Sequence, residues 1–220
     1  MASAASFSDD SLQPAVRGFL HSPASPNGNA IVLTHGAGAD CNTSLLVAVS
    51  EAFAAEGYLV LRCDLPFRQE RSGPPHPGIA ARDRAGLRNA VSILRNRVAG
   101  QIFLGGHSYG GRQATMLCAD EPELVSGLLL LSYPLHPVGK PEQLRIQHLP
   151  KLRTLSLFVH GTRDPLGSVE EMIKALQLVP AKKELMEIEG AGHDLGFKGK
   201  SANGELPRLV VDRFESLLRQ

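Results

Sequence analysis

The chain lacks the marks of several protein classes. Its three cysteines, Cys41, Cys63 and Cys118, lie far apart with no C-x-x-C pair. A sparse, odd count excludes a disulfide framework and fits reduced thiols in a cytoplasm. No apolar run approaches about 18 residues, so no membrane-spanning helix is expected. The opening MASAASFSDDSLQP has no basic region followed by an apolar one, so no secretory signal is expected. Charged residues make up 20% of the chain, and the formal net charge is +1. Arg and Lys are scattered rather than blocked, which leaves no footprint for nucleic acid or a membrane surface. Internal repeats are absent. With 43% hydrophobic residues in 220, disorder is excluded and one domain with a sizeable core is the expectation.

What is present is an alternation of short apolar runs with helical stretches. Residues 1–14 are rich in Ser, Ala and Asp and read as a loose tail; 15–220 read as a single domain. Residues 15–21 suit an edge strand, and 23–29 (PASPNGN) a connector. Buried strands are expected at 30–34, 58–63, 102–104, 127–132, 155–160 and 183–188, helices at 44–56, 79–99, 113–119, 168–178 and 205–218. Ser168 with Glu171 forms a capping-box pair, and Pro207 suits a first helical turn. Residues 64–78, with four prolines, and 133–153, with Pro134, Pro137, Pro141 and Pro150, read as loops. From residue 30 onward strands and helices alternate, which predicts an α/β fold: a doubly wound, mostly parallel sheet with helices on both faces. Ligands of such sheets sit beyond the carboxyl ends of the strands.

The most informative stretch is 101–111, QIFLGGHSYGG. A strand, then G-H-S-Y-G, then a helix is the context in which G-x-S-x-G marks a sharp turn that lifts Ser108 above the sheet edge. Alone, the pentapeptide is weak evidence in a chain with 22 glycines. Three further strand ends carry chemistry: 35–38 (HGAG), Asp164 and His193. A serine hydroxyl needs a base to take its proton, and an imidazole needs a carboxylate to fix its tautomer. Ser108, Asp164 and His193 follow in that order. The N–H of Tyr109 at a helix start, and that of Ala37 ahead of Gly38, are the candidate oxyanion donors.

Each residue alone has a plainer reading. His193 suits a loop or helix cap, and Asp164 begins an Asp-Pro turn. Asp194 competes as the partner of His193. His107 and His160 read as packed and hydrogen-bonded, and Asp64 is equally a structural or an orienting residue. His35, His107, His160 and His193 show no ligand spacing such as H-x-x-x-H, so no metal is expected, and no cofactor is needed. The rim is expected from Phe67, Arg68, Arg71, Tyr109, Tyr133, Leu135 and Phe197. Arg68, Arg71 and Arg112 are each either an anchor for an anionic substrate or a structural or solvated charge.

With LTHGAGAD (33–40), RCDLPF (62–67), GGHSYGGR (105–112), SYPLHPVGKPEQLR (132–145), HGTRDPLG (160–167) and GAGHDL (190–195) in hand, the chain resembles the α/β-hydrolase superfamily over nearly its whole length. More narrowly it is similar to the small, lidless, dienelactone-hydrolase-like group, and within it to bacterial relatives of the KANSL/testis-expressed type hydrolase-like domain. The resemblance implies Ser108 as nucleophile, His193 as base and Asp164 as acid. It departs from dienelactone hydrolases proper, whose nucleophile is cysteine. The expected function is therefore a serine hydrolase acting on a small ester or thioester through an acyl-enzyme. The competing expectation is a binding or scaffold protein that keeps the fold without turnover. Oligomeric state, acyl group and leaving group are left open.

Overall fold

The computed structural model describes residues 3–70, 72–76, 78–197 and 204–219. In chain order the elements are β1 (Ser3–Asp9), β2 (Val16–Ser22), β3 (Ala30–Thr34), α1 (Ser44–Ala55), β4 (Leu59–Cys63), α2 (Pro66–Glu70), α3 (Ala80–Arg95), β5 (Ile102–His107), α4 (Tyr109–Asp120), β6 (Gly127–Leu131), β7 (Ser156–Gly161), α5 (Val169–Leu176), β8 (Lys183–Ile188) and α6 (Leu206–Arg219). Among the described residues the strands form one eight-stranded sheet, ordered β1-β2-β4-β3-β5-β6-β7-β8. The β1–β2 and β2–β4 pairs are antiparallel, and the rest are parallel.

Apart from His107 at the end of β5, these central strands are buried along their length because both sheet faces are covered. Alternate residues feed two cores. Val32, Leu104 and Leu130 pack with Leu87, Val91 and Leu94 of α3 and Ala114 and Leu117 of α4. Ile31, Leu33 and Phe103 pack on the other face with Leu46, Val49 and Phe53 of α1 and Val210 and Phe214 of α6. α5 is held by the capping box expected at its start: Ser168 Oγ accepts from the Glu171 N–H, and Glu171 Oε2 from the Ser168 N–H.

Three expectations are corrected. The loose tail is not found at Ser3–Asp9, which pairs along the whole of β2. Its Ser/Ala-rich sequence has little strand propensity of its own; the neighbouring strand imposes the conformation. β2 is consequently not an edge. In the stretch expected to be one long loop, Pro66 opens α2, since a proline at the first helical position loses no hydrogen bond. The segment after β6 forms only a short 3₁₀ turn at Leu149–Lys151 and builds no layer over the sheet edge.

Candidate active site

Ser108 stands between β5 and α4 with φ 52° and ψ −116°, a conformation rare for a residue with a side chain. The turn is possible because its neighbours lack Cβ atoms. A Cβ on Gly106 would lie 2.9 Å from the backbone of Gly110 and Gly111, and one on Gly110 would lie 2.5 Å from the His35 carbonyl oxygen. Two backbone bonds pin the turn: Ser108 N–H donates to Leu131 O at 2.8 Å and Gly110 N–H to His35 O at 3.1 Å.

The three strand-end residues meet there. His193 Nε2 lies 2.8 Å from Ser108 Oγ, and His193 Nδ1 lies 2.7 Å from Asp164 Oδ2. An ionised carboxylate only accepts, so Nδ1 carries the proton and Nε2 is free to accept from the serine hydroxyl. The Asp164 side chain is fully buried, and its other oxygen accepts from Leu166 N–H at 2.9 Å. The Asp-Pro turn and the triad geometry thus use the same aspartate. Asp194 does not contend for the imidazole: it lines the pocket, and its Oδ1 accepts from Gly196 N–H. His160 Nε2 bonds Gly167 O, and its Nδ1 is 3.9 Å from Asp164, beyond hydrogen-bond reach.

The loop after β3 is braced from outside. Arg68 donates through Nε to Ala39 O (2.7 Å) and through Nη2 to Ala37 O (3.2 Å). Buried His35 accepts from Leu65 N–H at Nε2, so it donates from Nδ1 to Gly36 O; burial pushes its pKa down. Asp64 takes the structural role, accepting from Cys41 N–H. Ala37 therefore faces the Ser108 pocket on a fixed backbone. Tyr109 is the first residue of α4, so its N–H has no intrahelical acceptor. The pocket is a cavity of about 320 Å³ with Ala37, Leu45, His107, Ser108, His193 and Phe197 in its lining.

Several expected rim residues are elsewhere. Phe67 is 1% exposed and packs edge-on against His35 and Tyr109. Tyr133 is 1% exposed, with its hydroxyl donating to Arg145 O at 2.6 Å, and Leu135 is likewise buried. Arg68 turns Nε and Nη2 to the backbone of the loop after β3. Arg71 lies outside the described residues. Phe197 does line the pocket. Among the described residues no His/Cys/Asp/Glu cluster is arranged to hold a metal ion.

His107 does more than fill space. Its Nε2 donates to the His193 carbonyl at 2.8 Å, and the two rings lie 5.0 Å apart. Its opposite nitrogen packs against Gly36, where a Cβ would come within 3.2 Å. The ring is wedged between the Gly36 loop and the His193 loop. Burial drives its pKa down to about 4, so it stays neutral. A contact to a backbone carbonyl leaves no sequence pattern by which it could be foreseen.

A family model described as an alpha/beta hydrolase domain matches residues 27–211. Among solved structures, dienelactone hydrolase from Anabaena variabilis ATCC 29413 is 21% identical, with 98% of each chain covered and a TM-score of 0.77. Est1E from Butyrivibrio proteoclasticus is 17% identical, with 99% of each chain covered and a TM-score of 0.74. TT1662 from Thermus thermophilus is 19% identical over 100% of this chain and 99% of that one, with a TM-score of 0.75. At such identities the likeness is one of fold.

Proposed function

The chain belongs to the alpha/beta hydrolase family and is a hydrolase; from that premise we propose that it cleaves small esters or thioesters through an acyl-enzyme on Ser108. The observation that carries this reading is the unbroken chain Asp164–His193–Ser108, with contacts of 2.7 and 2.8 Å. His193 Nε2 takes the hydroxyl proton as Oγ bonds to the substrate carbonyl carbon. Asp164 holds the imidazolium that results. The N–H groups of Tyr109 and Ala37 receive the oxyanion, the first favoured by the α4 dipole. The C–O or C–S bond to the leaving group then breaks, and His193 gives that group the proton. Water repeats the sequence on the acyl-enzyme, returning free acid and Ser108. The leaving group faces His193, and so occupies the pocket walled by Leu45 and Phe197.

The buried, unpaired state of Cys41, Cys63 and Cys118 supports a reducing, cytoplasmic setting. Among the described residues no helix is long and apolar enough to cross a membrane. A fluorophosphonate probe tests the reading. Wild type should label once, on Ser108, and Ser108→Ala should not label. Folded wild type that stays unlabelled would favour a non-catalytic binding or scaffold role.

A further inference from the structure

Ser108 sits where the two faces of the sheet meet at its carboxyl edge. The pocket beside His193 opens toward the α1/α6 face, the side of Leu195 and Phe197. Tyr109, Phe67 and Tyr133 belong to the α3/α4 core instead. On that second side lies a group of arginines. Arg112 follows Ser108 by one helical turn, and its N–H bonds Ser108 O at 3.0 Å. Arg112 is the fourth residue of α4, and helical side chains lean toward the helix N-terminus, here toward the turn that carries Ser108. The Tyr133 hydroxyl, which lies in the field of the Arg112 charge, donates to Arg145 O, and Arg145 Nη1 in turn donates to Pro134 O. Arg84 Nη1 donates to Gln113 Oε1 on α4.

Among the described residues none of Arg84, Arg112 and Arg145 forms an ion pair with a carboxylate, whereas Arg17, Arg82, Arg88 and Arg213 all do. Arg112 Nε and Gln113 Nε2 are both shielded from solvent, with no acceptor among the described residues. Buried donors are normally satisfied, so an orphaned pair within a cationic group asks for a missing acceptor. Among the described residues, the surrounding groups supply none. His148 bonds Thr115 Oγ1 and is held neutral, its pKa pushed to about 4 by burial and then by the Arg112 charge. Asp120, at the far, exposed end of α4, acts on His148. Asp83 is engaged with the Tyr109 hydroxyl and the Phe67 N–H, and burial pushes its carboxyl up.

We propose that this group, with Arg112 as anchor and Arg145 beside it, receives a carboxylate at the far end of the acyl group. The leaving group must face His193, which leaves the α3/α4 side for the acyl chain. Four helical residues advance about 6 Å, close to the reach of a five- or six-carbon dicarboxylic half-ester. A planar guanidinium matches a carboxylate with two parallel hydrogen bonds.

The inference rests on the acyl-enzyme reading, and one experiment separates them. kcat/KM is measured for mono-p-nitrophenyl glutarate and adipate against p-nitrophenyl valerate and hexanoate, in wild type, Arg112→Gln, Arg112→Lys and Arg145→Gln, at low and high salt. Wild type should favour the charged ester by about tenfold or more, with the advantage shrinking in salt. Arg112→Gln should lower the charged-to-neutral ratio about tenfold, Arg145→Gln less, and Arg112→Lys should recover part. Free glutarate should raise the melting temperature of wild type and not of Arg112→Gln. If neither ester series turns over and no probe labels Ser108, the acyl-enzyme reading fails, and the glutarate shift still decides the anion site. Turnover of neutral esters with no charged preference overturns the arginine assignment alone. So does a ratio unchanged in an Arg112→Gln variant that melts like wild type. If that variant does not fold, the Arg145→Gln ratio and the wild-type salt dependence decide in its place.

Discussion

The two sides of the sheet edge at Ser108 treat polar groups in opposite ways. Toward His193, donors and acceptors close on one another: Ser108 with His193, His193 with Asp164, Asp164 with the Leu166 N–H, and His107 with the His193 carbonyl. Toward Arg112, two buried donors are unmatched among the described residues and charge of one sign accumulates. The first arrangement is what chemistry requires, because reacting groups must already be in place when the substrate arrives. The second is what binding allows, because a group that awaits a ligand has to be left without an internal partner. Closed contacts and unmatched donors sit one helical turn apart.

The comparison can be broken most directly on the closed side. Ser108→Ala should reduce ester hydrolysis by about 10⁴-fold or more, since the triad acts as a unit, while its melting temperature stays close to wild type. Retained esterase activity would move the nucleophile elsewhere. Next in size is an acid effect that spans both sides. His107 on the closed side, His148 on the arginine side and His21 beside Arg62 are all held near pKa 4, chiefly by burial. Unfolded histidines titrate near 6.5, so between pH 6.5 and 4 the unfolded chain binds protons that the folded one refuses. Their contribution is therefore present above pH 6.5 and lost as pH falls toward 4, about 1–3 kcal/mol for each. Urea midpoints at pH 7.5 and 4.5 measure it. A midpoint that does not move on acidification would contradict the neutral burial of these rings.

Smaller is the effect of the wedge. His107→Leu should lower kcat about 10- to 100-fold with KM little changed, because the His193 loop loses its stop. His107→Gln keeps a donor and should recover part of the rate. Equal losses in both variants would make the residue mere filling. Smallest is the response to neutral acyl length. The segment after β6 builds no layer over the edge, so each methylene beyond a few forgoes about 0.8 kcal/mol of burial. kcat/KM across p-nitrophenyl esters of two to sixteen carbons should peak between acetyl and butyryl. A maximum at twelve carbons would require a covered tunnel.

The alternation of strands and helices was legible because buried parallel strands are short apolar runs that pattern alone reveals. The strand ends were legible because Gly-rich turns and Asp-Pro interrupt those runs. β1 was not, since SAASFSD becomes a strand only through β2. Phe67 and Tyr133 were expected at the rim as aromatic residues next to the site, yet in a chain with eight Phe and three Tyr the core claims them. Arg68 and His107 act on backbone carbonyls, and any residue supplies a carbonyl, so no sequence pattern announces either contact.

The outermost strands have a consequence for how copies of the chain meet. β1 offers Ser, Ala and Asp along a mostly exposed rim, and β8 offers Lys183, Glu184 and Glu187, with no residue fully buried. A bare strand invites another to add to it, and polar or charged rims resist that invitation. Two molecules that brought β8 to β8 would have to strip water from these charges and break the Glu184–Arg213 pair. Rims of this chemistry disfavour extension of the sheet from one molecule into the next.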